Sequence, residues 1–295
     1  MRVYITLLFN LLVLKASSQT VGYDSLTNFL GDKPHPYIGE VLYLKGKPAF
    51  QRNEGYENFV IDYKIDKLKK DNVYQCCDYY NAKYDALHGH SFKVTAVLPH
   101  PKAVSKPYPY ASLFFLQLQD VVNNQTCYYE YDTKLASKFP FTVVGYYEKI
   151  KNNSIGNNYV FKNAEVRKLT GKNPQPGELW KCTDMIIENE ENKIAMKFAN
   201  GAGISFTVPY DEVAGTYNAA EAFTETAAAG YKQRFGNENW NALLYNQLKN
   251  GMSEEMCRVA WGEPNRTNNL SDGTEQWVYE TRYLYFKGGK LTRVQ

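Results

Sequence analysis

Over residues 37–209, short runs of β-branched and aromatic residues alternate with clusters of Gly, Asn, Asp and Pro. The runs YIGEVLYLKG, ENFVIDYKI, SFKVTAVL, SLFFLQLQD, TCYYEYDT, FTVVGYYEKI, NYVFKN, LWKCTDMIIE, KIAMKFAN and GISFTVP each read as a strand. In FKVTAVL the alternation predicts Phe92, Val94, Ala96 and Leu98 on one face, with Lys93 and Thr95 on the other. Such a sheet has one wet side. The series SFKV, SLFFLQLQD, CYYEYDT, FTVVGYY returns in similar order as YVFKN, ELWKCTDMIIE, KIAMKFAN, ISFTVP. This repetition predicts two small tandem barrels or sandwiches of SH3-like size, with residues 37–80 a third unit or an extension. A single large sandwich is the competing arrangement.

After Pro209 the period changes. NAAEAFTETAAAGYKQRF is Ala-rich and predicts a helix over 218–235, stopped by Gly236. Asn237 then caps a second helix whose stripe is Trp240, Leu243, Leu244 and Leu248, closed at Gly251. Ser253 caps a short third helix, with Glu254 and Glu255 in its first turn and Met252 before it. Its buried stripe is Met256, Val259 and Ala260, and Gly262 and Pro264 end it. Three strands follow, over 275–280, 283–287 and 290–294, the last two joined by a Gly288-Gly289 hairpin turn. Pairing Phe286 with Leu291 and Tyr279 with Leu284 puts Trp277, Tyr279, Leu284, Phe286 and Leu291 under the helices. Val278, Tyr283, Tyr285 and Thr292 then share the opposite face. The expected fold class is therefore α+β: a mainly-β region, then two helices on a three-stranded antiparallel sheet.

The segments NGMSEEMCRVAWGEPNRT and TEQWVYETRYLYFKGGKLTRVQ, over residues 237–295, resemble the SmpA/OmlA (BamE-like) domain. The resemblance rests on the GMS helix start, the WGEP helix stop, the EQWVY strand and the YFKGGKL hairpin, in that order. It implies a helix pair on a small sheet, a cell-envelope setting with outer-membrane association, and action by contact with another envelope protein. The face carrying Val278, Tyr283 and Tyr285 is the candidate binding surface, because Tyr combines apolar area with a polar tip. The competing use of that face is packing by the preceding β region.

The first residues, MRVYITLLFNLLVLKASSQT, change the picture of location. Arg2, an apolar run over 5–14, and the small residues Ala16 and Ser18 form a secretory signal with a cut after Ser18. The alternative is a buried N-terminal strand. No Cys follows the cut, so no lipid anchor is expected, and no later run is long enough to span a bilayer. The expected organisation is a signal peptide over 1–18, a β-rich region over 19–209, a linker helix over 210–236 and the C-terminal module over 237–295.

Charge and chemistry add limits. With 34 Lys and Arg against 31 Asp and Glu, the chain is close to neutral, which gives no electrostatic footprint for nucleic acid. Its 25 Tyr suit half-buried strands and contact surfaces. Five Cys leave at least one thiol unpaired within the chain. A bridge between the neighbours Cys76 and Cys77 is strained, so free or separately bridged thiols are expected there. His88 and His90 share a side of an extended segment, and His100 lies a strand further on, but no ligand of familiar spacing accompanies them. No metal, cofactor or catalytic residue is expected; no G-x-S-x-G, H-E-x-x-H or P-loop is present. The sequence thus points to an exported protein-binding or scaffolding module. The alternative is a periplasmic hydrolase or ligand-binding enzyme with its site between the β units. A deep polar cleft holding His88, His90 and acidic residues would mark it.

Overall fold

The structure is a computed structural model that describes residues 27–295 apart from 66–68, 173, 176, 189, 191, 192 and 217. The expected signal peptide lies outside the described residues. The first sheet is built from β1 (Val41–Leu44), β2 (Phe59–Val60), β5 (Ser91–Pro99), β6 (Leu113–Asp120), β7 (Thr126–Asp132) and β8 (Phe141–Val143), in the order β2-β7-β6-β5-β1-β8. Between β2 and β5 lie the small hairpin β3 (Cys76–Asp78) and β4 (Asn81–Ala82) and the short α1 (Tyr84–Leu87). The turn α2 (Pro107–Tyr110) joins β5 to β6. The core beneath this sheet is aromatic: Phe59, Phe92, Tyr129, Phe139 and Phe141 pack ring against ring.

Helix α3 (Val144–Ser154) leaves β8, and β9 (Asn158–Phe161) opens the second sheet. After α4 (Asn163–Thr170) come β10 (Leu179–Glu188), β11 (Lys193–Ala199), β12 (Ser205–Pro209), the short α5 (Tyr210–Ala214) and β13 (Ala222–Thr224). Their order is β12-β11-β10-β9-β13. Helices α6 (Glu225–Leu244) and α7 (Glu254–Trp261) then precede β14 (Arg266–Asn269), β15 (Glu275–Val278), β16 (Tyr283–Lys287) and β17 (Lys290–Val294). These four strands pair in sequence order. All strand pairs of the three main sheets are antiparallel. The fold is mixed α+β.

The two larger sheets are wired alike. In each, a first strand pairs with a second and with a fifth, while the second, third and fourth form a meander: β1, β5, β6, β7, β8 in one, β9 to β13 in the other. The correspondence extends to single residues. Gly39 and Gly156, both at positive φ where a side chain would be strained, open the first strands. Their amides donate to Val94 and Cys182, which in turn donate to the carbonyls of Glu40 and Asn157. FKVTAV in β5 matches WKCTDM in β10. Both strands bulge after the second buried residue, and the bulge threonines Thr95 and Thr183 donate to Gln117 O and Lys197 O of the neighbouring strand.

Several expectations change. The repeat is offset by one strand from the sequence alignment: SFKV corresponds to LWKC, and its first strand is Val41–Leu44, hidden by the long insertion before β5. Residues 37–80 therefore complete the first sheet. The bulge at Thr95 reverses the alternation, so Val97 is buried where Ala96 and Leu98 were expected. FTVVGYYEKI is a strand only as far as Val143; beyond it Tyr146, Tyr147 and Ile150 pack from a helical face. The expected 218–235 helix starts at Glu225, where Thr224 Oγ1 accepts from Ala227 N, because Ala222–Thr224 pair with β9. Pairing across a sheet outweighs Ala-rich propensity here, and it carries the second sheet past Pro209. Gly236 breaks α6 at φ 78°, as expected of a helix stop.

The C-terminal sheet has four strands where three were expected. RTNN lacks β-branched apolar residues, yet β14 pairs along all of β15. Phe286 does face Leu291, whereas Leu284 faces Trp277, two residues from the expected Tyr279. A turn closed by Tyr279 N donating to Arg282 O sets this register. The two-residue shift keeps parity, so Trp277, Leu284, Phe286 and Leu291 are buried beneath the helices with Trp240, Leu243, Leu244 and Ala260.

Candidate functional site

Two places combine unpaired or partly exposed chemistry with a fixed frame. The first is the face of the C-terminal sheet away from α6 and α7. Cross-strand pairing puts Arg266 beside Val278, Asn268 beside Gln276, Gln276 beside Tyr285, and Tyr285 beside Arg293. A hydrogen-bond chain crosses all four strands. Asn268 Nδ2 donates to Gln276 Oε1 (2.9 Å), Gln276 Nε2 to Tyr285 Oη (3.0 Å), and Tyr285 Oη to Gln295 Oε1 (3.1 Å). The Arg293 guanidinium lies 3.9 Å from the Tyr285 ring centroid. Val278 and Tyr283 are half-buried, while Tyr285 is only 9% exposed because Arg293 and the amides cover it. Of the three residues expected on this surface, two thus offer contact area and Tyr285 anchors the layer. The cross-strand pairs of this face carry Arg266 and Arg293 and no side-chain carboxylate.

The second place is a cavity of about 740 Å³ where the first two sheets meet. Phe29, Phe139 and Tyr146 form apolar wall, Lys45 and Asp211 bring polar groups to it, and Thr142 lies buried behind it. Lys45 follows β1, its amide bonded to Pro140 O, and Thr142 is the residue of β8 that points away from the core holding Phe141 and Val143. Among the described residues the buried Thr142 hydroxyl has no hydrogen-bond partner. Burial lowers the Lys45 ammonium from its ordinary 10.5 to about 8, against the opposing pull of Asp211. Sequence reading missed both groups. The signal was present: Lys45 and Lys162 occupy matching ends of YLK and VFK, but the repeat was aligned one strand out of register.

A further cleft of about 530 Å³ runs between the second and third sheets, past Glu221, Asn246, Trp261 and Arg282. Burial raises the Glu221 carboxyl above its ordinary value, partly offset by Lys162.

The expected histidines stay apart from these places. His88 stacks on Tyr84, with centroids 4.6 Å apart. His90 Nδ1 lies 2.6 Å from Asp120 Oδ2, a fully buried carboxylate whose Oδ1 accepts from Val122 N. His100 lies between Tyr110 and Phe115. Among the described residues no three His, Cys, Asp or Glu side chains are grouped to hold a metal ion. Cys76 and Cys77 are bonded to each other, contrary to the expectation of free or separately bridged thiols. Gln75 and Tyr79, both at positive φ, bracket the pair. Cys127, Cys182 and Cys257 are buried thiols, and burial raises all three, Cys182 to about 11 and Cys257 to about 12. They pack as small apolar groups.

No protein-family model, curated protein or solved structure matches the chain. Among the described residues no helix is long and apolar enough to cross a membrane.

Proposed function

We propose that this is an exported cell-envelope protein that holds a partner protein, and that the open face of its C-terminal sheet makes the contact. The observation that carries the reading is the cross-strand layer of Asn268, Gln276, Tyr285 and Gln295, flanked by Arg266 and Arg293. Its side chains are held before any partner arrives, so little side-chain entropy remains to be lost on binding. Two guanidinium groups and no side-chain carboxylate favour an acidic partner surface. The helix pair over the sheet supports the likeness to the SmpA/OmlA module over 237–295. The matched strand orders support reading the preceding sheets as tandem small barrels of SH3-like size. The signal-like segment over 1–18 supports export, with a mature chain starting near Gln19; N-terminal sequencing of the mature protein tests that part.

The contact is tested with a photo-crosslinking residue in place of Tyr283 in the source cell. The expected result is one discrete adduct, linked to an Asp- and Glu-rich segment of its partner and lost in Arg266→Glu. Arg266 is exposed, so its reversal leaves the fold intact. No adduct, or one that persists in Arg266→Glu, overturns the assignment.

A further inference from the structure

The two repeats place a lysine at the same point, and only one of the two is capped. Lys45 and Lys162 each follow the first strand of their sheet, with amides bonded to Pro140 O and Glu221 O just before the fifth strand. Lys162 is 1% exposed, and its Nζ donates to Ala260 O of the third unit at 2.9 Å, with Glu221 Oε1 4.0 Å away. The following unit thus supplies an oxygen to the second repeat's lysine.

Lys45 meets a different neighbour. No hydrogen bond or ion pair within the described residues ends on its Nζ, and the charge that acts on it is Asp211 at the start of α5. Lys162 donates to Ala260 O, whereas Lys45 lines the cavity of about 740 Å³. The same substitution of polar for apolar appears on the fifth strands. Phe223, beside Val160 in β9, packs on Tyr231 and Trp240. Its counterpart Thr142, beside Tyr43 in β1, is wholly buried behind the cavity lining, and its hydroxyl has no partner among the described residues. A half-buried amine without a hydrogen-bond partner among the described residues, at the edge of a cavity with apolar walls, describes half of a recognition site.

We propose that this cavity binds a small organic carboxylate, its head group on Lys45 and its apolar body along Phe29, Phe139 and Tyr146. The ligand oxygen takes the role that Ala260 O plays for Lys162. The volume lies within the usual range of about 300–1,000 Å³ for small-molecule pockets. The proposal is independent of the sheet-face contact.

Protonation gives the site a signature. Lys45 titrates near 8, and an anion beside it stabilises its charged form. Binding therefore draws in a proton at about pH 8.5, and affinity falls as pH rises through that region. The other charged or titratable groups on the walls are Asp211, Lys193, Tyr146 and Tyr210. Burial raises Tyr210, so it stays neutral across this window.

The test is isothermal titration of the full chain with phenylacetate, hexanoate and phenylacetamide at about pH 6.5. The carboxylates should bind one to one and the amide at least about tenfold more weakly, the loss of a charge-assisted bond. Lys45→Met should weaken the carboxylates by about tenfold or more, while Lys45→Arg retains most of the affinity. In buffers of differing ionisation enthalpy at about pH 8.5, the wild type should take up a fraction of a proton and Lys45→Met none. Equal affinity for acid and amide, unchanged binding in Lys45→Met, or no binding at millimolar ligand would each overturn the proposal.

Discussion

The first and second units share one plan and part company on one surface. Both open on Ile-Gly, both bend their long second strand at a threonine, and both follow the first strand with a lysine of lowered pKa. The difference lies on the outer side of the first and fifth strands. In the second unit that side presents Val160 and Phe223 and is sealed into one core with Trp240, Trp277 and Leu244 of the third. In the first unit it presents Tyr43 and Thr142, and α3 covers it while Tyr147 Oη reaches across to Met185 O. An apolar outer face fixes a permanent neighbour. A polar one leaves a cavity with chemistry at its wall. One duplicated frame thus serves both as a structural joint and as a candidate site.

The largest expected effect probes the sealed joint. Trp277 is fully buried, with Arg258 4.3 Å from its ring centroid and Phe286 4.5 Å away. Trp277→Ala should cost roughly 3–5 kcal/mol. Because Val160 belongs to the same cluster, the second unit should loosen with the third, while the first keeps its protection. Limited proteolysis with mass mapping of the fragments decides this. Cuts confined to residues 237–295 would show that the second unit does not depend on the joint.

A smaller step converts one joint toward the other. Phe223→Thr gives the second unit the residue that Thr142 gives the first. It removes ring contacts to Tyr231 and Trp240 and should destabilise by roughly 2–3 kcal/mol. Thermal melting measures the loss. A change below about 0.5 kcal/mol, the level of an ordinary surface substitution, would mean that Phe223 does not help seal the two units together.

How much of this was legible in the sequence depends on the distance over which each feature is determined. The helix stops at Gly236 and Gly262, the Ser253 cap and the Phe286–Leu291 pair were readable, because each is set within a few residues. The face shared by Val278, Tyr283 and Tyr285 followed from parity, but the covering of Tyr285 by Arg293 needed the paired strand. The strand RTNN escaped notice because its pairing with β15, and not its own propensity, makes it a strand. The repeat was visible in texture yet misaligned, since the long insertion between β1 and β5 separates the first strand from its meander. With that alignment lost, the match of Lys45 to Lys162 was lost too, and with it the candidate cavity.

The lysine pair should respond with opposite signs. Lys45→Met removes a desolvated ammonium that makes no hydrogen bond within the described residues, and should stabilise the chain at pH 7 by on the order of 1–2 kcal/mol. Lys162→Met leaves Ala260 O and Glu221 without their cation, and should destabilise by about 1–3 kcal/mol. The pH dependence has a definite direction. The folded pKa of Lys45, about 8, lies below the unfolded 10.5, so between those values the unfolded chain binds more protons. Stability from this group therefore rises with pH across that window, and the Lys45→Met variant should lack the rise. Urea melts at pH 7, 8.5 and 10 read both effects. Destabilisation by Lys45→Met at pH 7 would mean that the amine already has a strong partner.

The smallest effect asks whether the shared bend is held in the same way twice. Thr95 Oγ1 donates to Gln117 O at 3.1 Å and Thr183 Oγ1 to Lys197 O at 3.3 Å, each across the bulge that turns its strand. Both side chains lie at the sheet surface, where a hydrogen bond contributes about 0.5–1 kcal/mol. Thr95→Ala and Thr183→Ala should each cost about that much, with Thr→Ser recovering most of it, because the hydroxyl and not the methyl makes the bond. The sites lie in separate sheets and share no partner, so the double variant should equal the sum of the singles within about 0.5 kcal/mol. If only one threonine matters, the bend in the other unit is fixed by its neighbours: by Val94 and Val97 in β5, or by Cys182 and Met185 in β10, buried on either side of the bulge. Equal losses would make the hydroxyl a working part of the frame that both units use.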